Sequence, residues 1–340
     1  MLKFKKLKIR KFSTIDQSKL FDFYKQSFNL RHKIIFENRN WLYRVNLFRF
    51  EPLVIEHKDK IVGHAGMISN KIKKKEKIYK CIWFVDYKIL EEFRGLGLGT
   101  LLCKEWMKIS PHQLAITNNS SLKIFKKFGW IEKNDHKRAA KIINPLKWIP
   151  IVKSLNNNLL EKINFYKYFK SSNYKRLAPY KLKTNILTLK KSFLANENKK
   201  GNNKIIIFRD EDWFNWRIKE SPFIDNYYFF KKNDSFIIIH LITIANLKRI
   251  HILYSSCVDI NTEIELSMNI TDWGIENNFD IIWLNSDCFK DKQYLSKIFN
   301  HVRPINFVCN SNNKYIKKND LVNICGVEAI DTDSDIIYSN

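Results

Sequence analysis

Phe93-Arg-Gly-Leu-Gly-Leu-Gly-Thr100 decides how this chain is read. Arg94, Gly97 and Gly99 fit the pattern Arg-x-x-Gly-x-Gly, with a third glycine at Gly95. Upstream, Cys81-Ile-Trp-Phe-Val-Asp-Tyr-Lys-Ile-Leu90 is rich in aromatic and β-branched residues and reads as a strand. Downstream, Leu98 to Lys108 carries apolar residues at 98, 101, 102 and 106, the spacing of one helix face. Strand, glycine turn and helix start in that order make an anion site. Glycines allow a tight turn with exposed N–H groups, and the helix start adds roughly half a positive charge. Such a loop suits a pyrophosphate.

Two other glycine-loop families fail on spacing. A P-loop requires Gly-Lys-Ser/Thr, whereas Thr100 follows Gly99 directly. A dinucleotide fingerprint runs Gly-x-Gly-x-x-Gly, while Gly95, Gly97 and Gly99 step by two behind an arginine. A second segment follows the expected strand Gln113-Leu-Ala-Ile-Thr117: Asn118-Asn-Ser-Ser-Leu-Lys-Ile-Phe-Lys-Lys-Phe-Gly-Trp130. It resembles the second cofactor motif of the GNAT superfamily of N-acetyltransferases, Asn-x-x-Ala-x-x-x-Tyr-x-x-x-Gly-Phe. Asn118, Ser121, Phe125, Gly129 and Trp130 fall in register. The resemblance covers about residues 1 to 140.

That resemblance implies acetyl-CoA or another acyl-CoA as co-substrate, and no metal. It places the pyrophosphate on the amides of Leu96, Gly97, Leu98, Gly99 and Thr100, with Arg94 and Gly95 shaping the loop. The edge at Ile89 and Leu90 would bind the pantetheine arm as an added strand, and an amide near Ile89 would support the oxyanion. Asn118, Ser121 and Phe125 would complete the far wall. One departure matters: the tyrosine often used as general acid is Phe125 here, which has no proton to give. Asp86 is the first candidate for a base toward the attacking ammonium, followed by His64 and Tyr87. The implied reaction is direct attack of a neutral amine on the thioester, with no covalent enzyme intermediate.

At 340 residues the chain is about twice one such module, so two domains are expected. Six scattered cysteines (81, 103, 257, 288, 309, 325) form no Cys-x-x-Cys pair, which suits a reducing cytoplasm and argues against zinc. No apolar run reaches 18 residues, so no membrane span is expected. Met1 to Phe12 is charged without an apolar core and reads as a first strand, not a secretion signal. The net charge of +26 is spread along the chain, with clusters such as Lys71-Ile-Lys-Lys-Lys75 on an expected hairpin turn. It reads as a solvated face and makes nucleic acid an unlikely partner, while favouring attraction to CoA phosphates or an anionic substrate.

The second half repeats the order of the first. Phe208 to Trp213 has the five-residue step of Phe36 to Trp41. Strand-like runs follow at Tyr227–Phe230, Phe236–Ile244 and Ile250–Tyr254, then a helix from Glu263 to Asn277, a strand Asp280–Leu284 and a short helix near Gln293 to Phe299. The turn Cys257-Val-Asp-Ile-Asn-Thr262 has no glycine. The expected fold is therefore α/β (α+β): two GNAT-like units, each a mixed, mostly antiparallel twisted sheet flanked by helices. Residues 1–140 form the acyl-CoA unit, 141–204 a connector, and 205–340 a degenerate copy contributing to the acceptor site. In the connector Leu159–Phe169 reads as a packed helix and Asn196–Asn203 as a flexible loop. The expected activity is N-acylation of a small-molecule primary amine, with a nucleotide-linked amino sugar of bacterial surface polysaccharide synthesis suggested by resemblance. A tRNA-dependent aminoacyl transferase and a non-catalytic acyl-CoA sensor are the alternatives.

Overall fold

The computed structural model of the chain describes residues 7–43, 50–133, 135–144, 176–199, 204–244, 246–285, 299, 301–325, 327–328 and 331. The first stretch contains β1 (Leu7–Lys11), α1 (Gln17–Ser27), α2 (His32–Leu42), β2 (Leu53–His57), β3 (Lys60–Lys74), β4 (Lys77–Ile89), α3 (Leu98–Met107), β5 (His112–Thr117), α4 (Asn119–Lys127) and β6 (Ile131–Lys133). Next come β7 (Lys137–Ile142), β8 (Tyr180–Lys181), α5 (Ile186–Lys199), β9 (Ile205–Ile207), β10 (Tyr227–Lys232), β11 (Ser235–Ile244), β12 (Leu247–Ser256), α6 (Ile260–Glu276) and β13 (Ile281–Asn285). Then come β14 (His301–Pro304), β15 (Asn306–Ser311) and a single helical turn at Lys318–Leu321.

Local chemistry accounts for most boundaries. Asp16 caps α1 by accepting from the Ser18 amide, and Leu20, Phe23 and Tyr24 form its buried stripe. The two-residue turn between β2 and β3 holds Lys58 and Asp59 at φ of 47° and 61°. Both positive values match the twist that a tight hairpin needs. Asp259 caps α6 through the Thr262 amide, so this helix starts at Ile260, ahead of the expected Glu263.

Each unit is assembled from three pieces of chain. The first comprises Met1–Asn134, Gly201–Phe208 and Ile305–Cys325; the second comprises Asp135–Lys200, Arg209–Pro304 and Gly326–Asn340. The first sheet has the order β1-β2-β3-β4-β5-β15-β6, with β9 pairing β3 off that path. The second has the order β14-β7-β13-β12-β11-β10-β8. Read from the other end, β8-β10-β11-β12-β13-β7-β14 matches the first sheet position for position. Each has a single parallel pair at the same place, β4 with β5 and β12 with β13. These are two mixed, mostly antiparallel sheets flanked by helices.

The sixth strand of each sheet, between the fifth and seventh positions, comes from the far part of the sequence. β15 lies between β5 and β6, and β7 lies between β13 and β14. The second core gathers Phe230, Ile237, Ile239, Ile250, Ile252 and Ile282 under Leu266 and Ile270 of α6.

The expected loop Asn196–Asn203 is in part a helix, because α5 continues through Lys199. Glu197 on its last turn is buried and accepts from Tyr254, with Arg209 beside it. A carboxylate tied into the core extends the helix that composition alone would end. Leu159–Phe169 lies outside the described residues, as does the expected helix near Gln293 apart from Phe299. Among the described residues no helix is long and apolar enough to cross a membrane.

Candidate functional site

β4 and β5 pair at Ile82–Gln113, Trp83–Leu114 and Phe84–Ala115, and then part. β4 runs on to Ile89 without β5, while β5 keeps β15 as its partner on the other side from His112 to Thr117. Residues 85–89 of β4 are thus unpaired on the β5 side, leaving a fork with one free strand edge. That edge leads through Leu90 into the glycine loop and the first turn of α3.

The loop is open where an anion would sit. Gly95 and Gly97 take φ of +79° and +83°, a region side chains rarely adopt, and a Cβ on either would meet nothing within 4 Å. Gly97 is the residue before α3, so its turn aims the amides of Leu98, Gly99 and Thr100 outward. Leu98 is buried as an anchor, whereas Leu96 stands exposed on the rim. Arg94 does not reach over the loop. Its Nε donates to the Ile89 carbonyl at 3.3 Å and its Nη1 to Glu91 at 3.3 Å, tying the loop's shoulder to the strand end.

Gly99 has a different reason to be glycine. A Cβ there would lie 2.4 Å from the Tyr87 hydroxyl. That hydroxyl is buried with no hydrogen-bond partner, and burial pushes its phenol above the ordinary range. The Tyr87 ring packs 6.5 Å from Phe125 and 5.0 Å from Phe84. Phe125 is buried against Phe84 and Trp130, with centroids at 5.2 Å and 4.4 Å. Asn118 caps α4, its Oδ1 accepting from the Ser121 amide at 2.9 Å. Asn118, Ser121 and Phe125 therefore set the position of the wall helix through a cap and a core contact.

Asp86 sits on the opposite face, at an irregularity in the pairing of β3 and β4. Its φ is +49°, a strained value for a residue with a Cβ. The carboxylate is 1% exposed and holds Arg31 Nη2 at 3.4 Å, while the Tyr43 hydroxyl donates to it at 3.0 Å. Burial raises its pKa, opposed by Arg31 and the Tyr43 hydrogen bond.

His64 lies behind that carboxylate. Its Nδ1 donates to the Asp86 carbonyl at 2.9 Å and its Nε2 accepts from Tyr24 at 3.1 Å. Rings of Phe12, Phe23, Phe28 and Tyr43 surround it. Burial depresses its pKa to about 4, so the imidazole is neutral at ordinary pH. The structure thus brings Tyr87 with the loop, Asp86 with His64, and leaves His64 enclosed. Arg31 and Tyr43 escaped the sequence reading. Neither belongs to a motif, and only the fold brings them to Asp86.

The second unit has the same fork with a different filling. β12 pairs with β13 through His251–Trp283, leaving residues 252–256 unpaired on that side. The Ser255 amide donates to Glu328 at 2.8 Å and the Ser255 hydroxyl to Glu263 at 2.8 Å. Asp259 caps α6, accepting from the Thr262 amide and hydroxyl. Arg209 binds Asp331 through Nε at 2.9 Å, with Glu197 at 3.4 Å and Glu328 at 3.9 Å. The anion position is held by the chain's own carboxylates.

The two sheets share one topology, and the second fork lacks the glycine loop. Residues 17–130, a third of the chain, match the family described as Acetyltransferase (GNAT) family, which uses acyl-CoA. Similar solved structures include a putative acetyltransferase from Pyrococcus horikoshii, 11% identical, covering 96% of both chains at a TM-score of 0.54. A GCN5-related N-acetyltransferase from Kribbella flavida is 12% identical, covering 89% of this chain and 70% of its own at 0.55. Saccharomyces cerevisiae N-myristoyltransferase with bound myristoyl-CoA is 13% identical, covering 91% and 79% at 0.58. No curated protein matches in sequence. Among the described residues no group of three or more His, Cys, Asp or Glu could hold a metal.

Proposed function

We propose that this chain is an acyl-CoA-dependent N-acyltransferase acting on a primary amine, with the co-substrate in the first unit. The observation that carries it is a free β4 edge ending in an open glycine loop at a helix start. The edge at residues 85–89 and Leu90 would hold the pantetheine arm, and the amides of Leu96 to Thr100 the pyrophosphate. Acyl-CoA supplies the activated acyl group. Asp86 accepts the proton of the attacking ammonium, with Arg31 and Tyr43 fixing the carboxylate and neutral His64 fixing its backbone. Tyr87 returns a proton to the departing thiolate, since Phe125 has none and the Tyr87 hydroxyl is unpartnered beside it.

The second unit, on this reading, binds no CoA and contributes to acceptor recognition. Its groove of about 710 Å³, lined in part by Phe223, Asn226, Lys248, Trp273 and Asn277, offers aromatic faces and hydrogen-bonding groups suited to a sugar. A nucleotide-linked amino sugar is therefore the first acceptor to test, and the net charge of +26 favours its phosphates.

Calorimetry with acetyl-CoA tests the core of this proposal. One equivalent per chain is expected, and Gly97→Glu should abolish binding while the chain still folds, with a lower melting temperature because its φ of +83° strains a side chain. Unchanged affinity in that variant would remove the loop from the site, and two equivalents would show a working second fork. Thiol release across an amine panel then separates an enzyme from a sensor, which would bind without turnover.

A further inference from the structure

The free edge of β4 is five residues long, or about 16 Å at 3.3 Å per residue. An acyl thioester anchored on the glycine loop therefore places its acyl group near the fork, where β4 and β5 rejoin at Phe84 and Ala115. Toward α3 the fork is floored by Phe84, whose ring lies 4.2 Å from Trp106. Side chains alternate along a strand, so Trp83 faces the other way. Its register partner Leu114 shares that face, as does Ile116 two residues on, and Phe307 of β15 stands opposite Ile116. Trp83 and Phe307 are both fully buried, with centroids 5.7 Å apart at 66°. These two rings close the fork on the face away from α3. Phe307 is there only because β15 enters the first sheet.

We propose that Trp83 and Phe307 set the length of acyl group that this chain accepts, limiting it to two or three carbons. The inference rests on the acyl-CoA reading above. A short acyl group ends before the rings, whereas a longer one must displace two fully buried aromatic side chains. The same fold holds bound myristoyl-CoA in the yeast protein. Chain length is thus a matter of what fills the fork, not of the architecture.

The test compares acetyl-CoA and octanoyl-CoA by calorimetry, which needs no acceptor. The wild-type chain should bind octanoyl-CoA at least ~10-fold more weakly than acetyl-CoA, the scale of discrimination that one or two misfitting methylenes give. Phe307→Ala should reverse that preference. Phe307→Leu, a milder change that keeps the strand packed, should give an intermediate ratio and serves if the alanine variant does not fold. Equal binding of both thioesters by the wild type, or an unchanged ratio in the folded variants, overturns the gate. Absence of acetyl-CoA binding in the wild type would instead sink the acyl-CoA reading itself.

Discussion

The two forks share a topology and differ in what occupies the anion position. At the first, Gly95 and Gly97 leave open space above the start of α3. At the second, Glu197, Glu328 and Asp331 are buried around Arg209, Glu263 holds the Ser255 hydroxyl, and Asp259 caps the helix start. A pyrophosphate would be stabilised by free amides at one fork and repelled by fixed carboxylates at the other. The fold supplies the place, and the loop residues decide whether a ligand or the protein itself fills it.

Removing Arg209 attacks this contrast most directly. Arg209→Met would leave Asp331, Glu197 and Glu328 buried without their cation, a loss of about 3–5 kcal/mol. Chemical denaturation should show this, while any protein that remains folded should still bind one acetyl-CoA. Gain of a second equivalent would mean that the carboxylates alone do not close the second fork.

Histidines buried on both sheets give a smaller effect with a definite sign. His64 has a folded pKa of about 4 against 6.5 when unfolded, and burial pushes His251 well below its ordinary value. Below pH 6.5 the unfolded chain takes up protons that the folded one refuses, so stability is lost as pH falls from 6.5 toward 4. For His64 the full loss is about 3 kcal/mol. His64→Gln should flatten that part of the acid unfolding curve and leave the His251 part. An unaltered slope would show that His64 is protonated in the folded state.

Proton transfer at the first fork sets the smallest of these effects. Asp86→Asn should lower kcat roughly 10²-fold, or about 2.7 kcal/mol, and make the rate climb with pH as free amine replaces ammonium. Tyr87→Phe should also slow turnover, without that climb, and Phe125→Tyr in the same chain should recover part of it. Full activity in Asp86→Asn at neutral pH would leave Asp86 as a carboxylate that merely anchors Arg31 and Tyr43.

The strand, loop and helix around residues 81–108 were legible because their signals are local: β-branched runs, glycines, a 3.6-residue period. The repeat of element order in the second half was legible for the same reason, whereas Asn118 was found through its motif and its capping role only through the structure. The partners of Asp86 were not, because Arg31 and Tyr43 meet it through tertiary packing that no spacing encodes. Phe307 was hidden further still. Strand periodicity says that a residue faces a core, not which of two sheets its strand joins. The helical end of α5 was misread because Glu197 looks like a loop residue until Arg209 and Tyr254 are placed beside it.

The exchange of β7 and β15 has a consequence in time. On the ribosome the first unit emerges early, yet β15 pairs with β5 across roughly 190 residues, such as Asn306 with Thr117. At 5–20 residues per second, the slot between β5 and β6 stays open for roughly 10 to 40 s after its walls have been made. Until then two strand edges lack their partner and are exposed to pairing with other nascent chains. The first fork, whose far face needs Phe307, is finished only when this late strand arrives, so slow translation of the codons between β6 and β15 should lower the yield of active protein more than slow translation elsewhere.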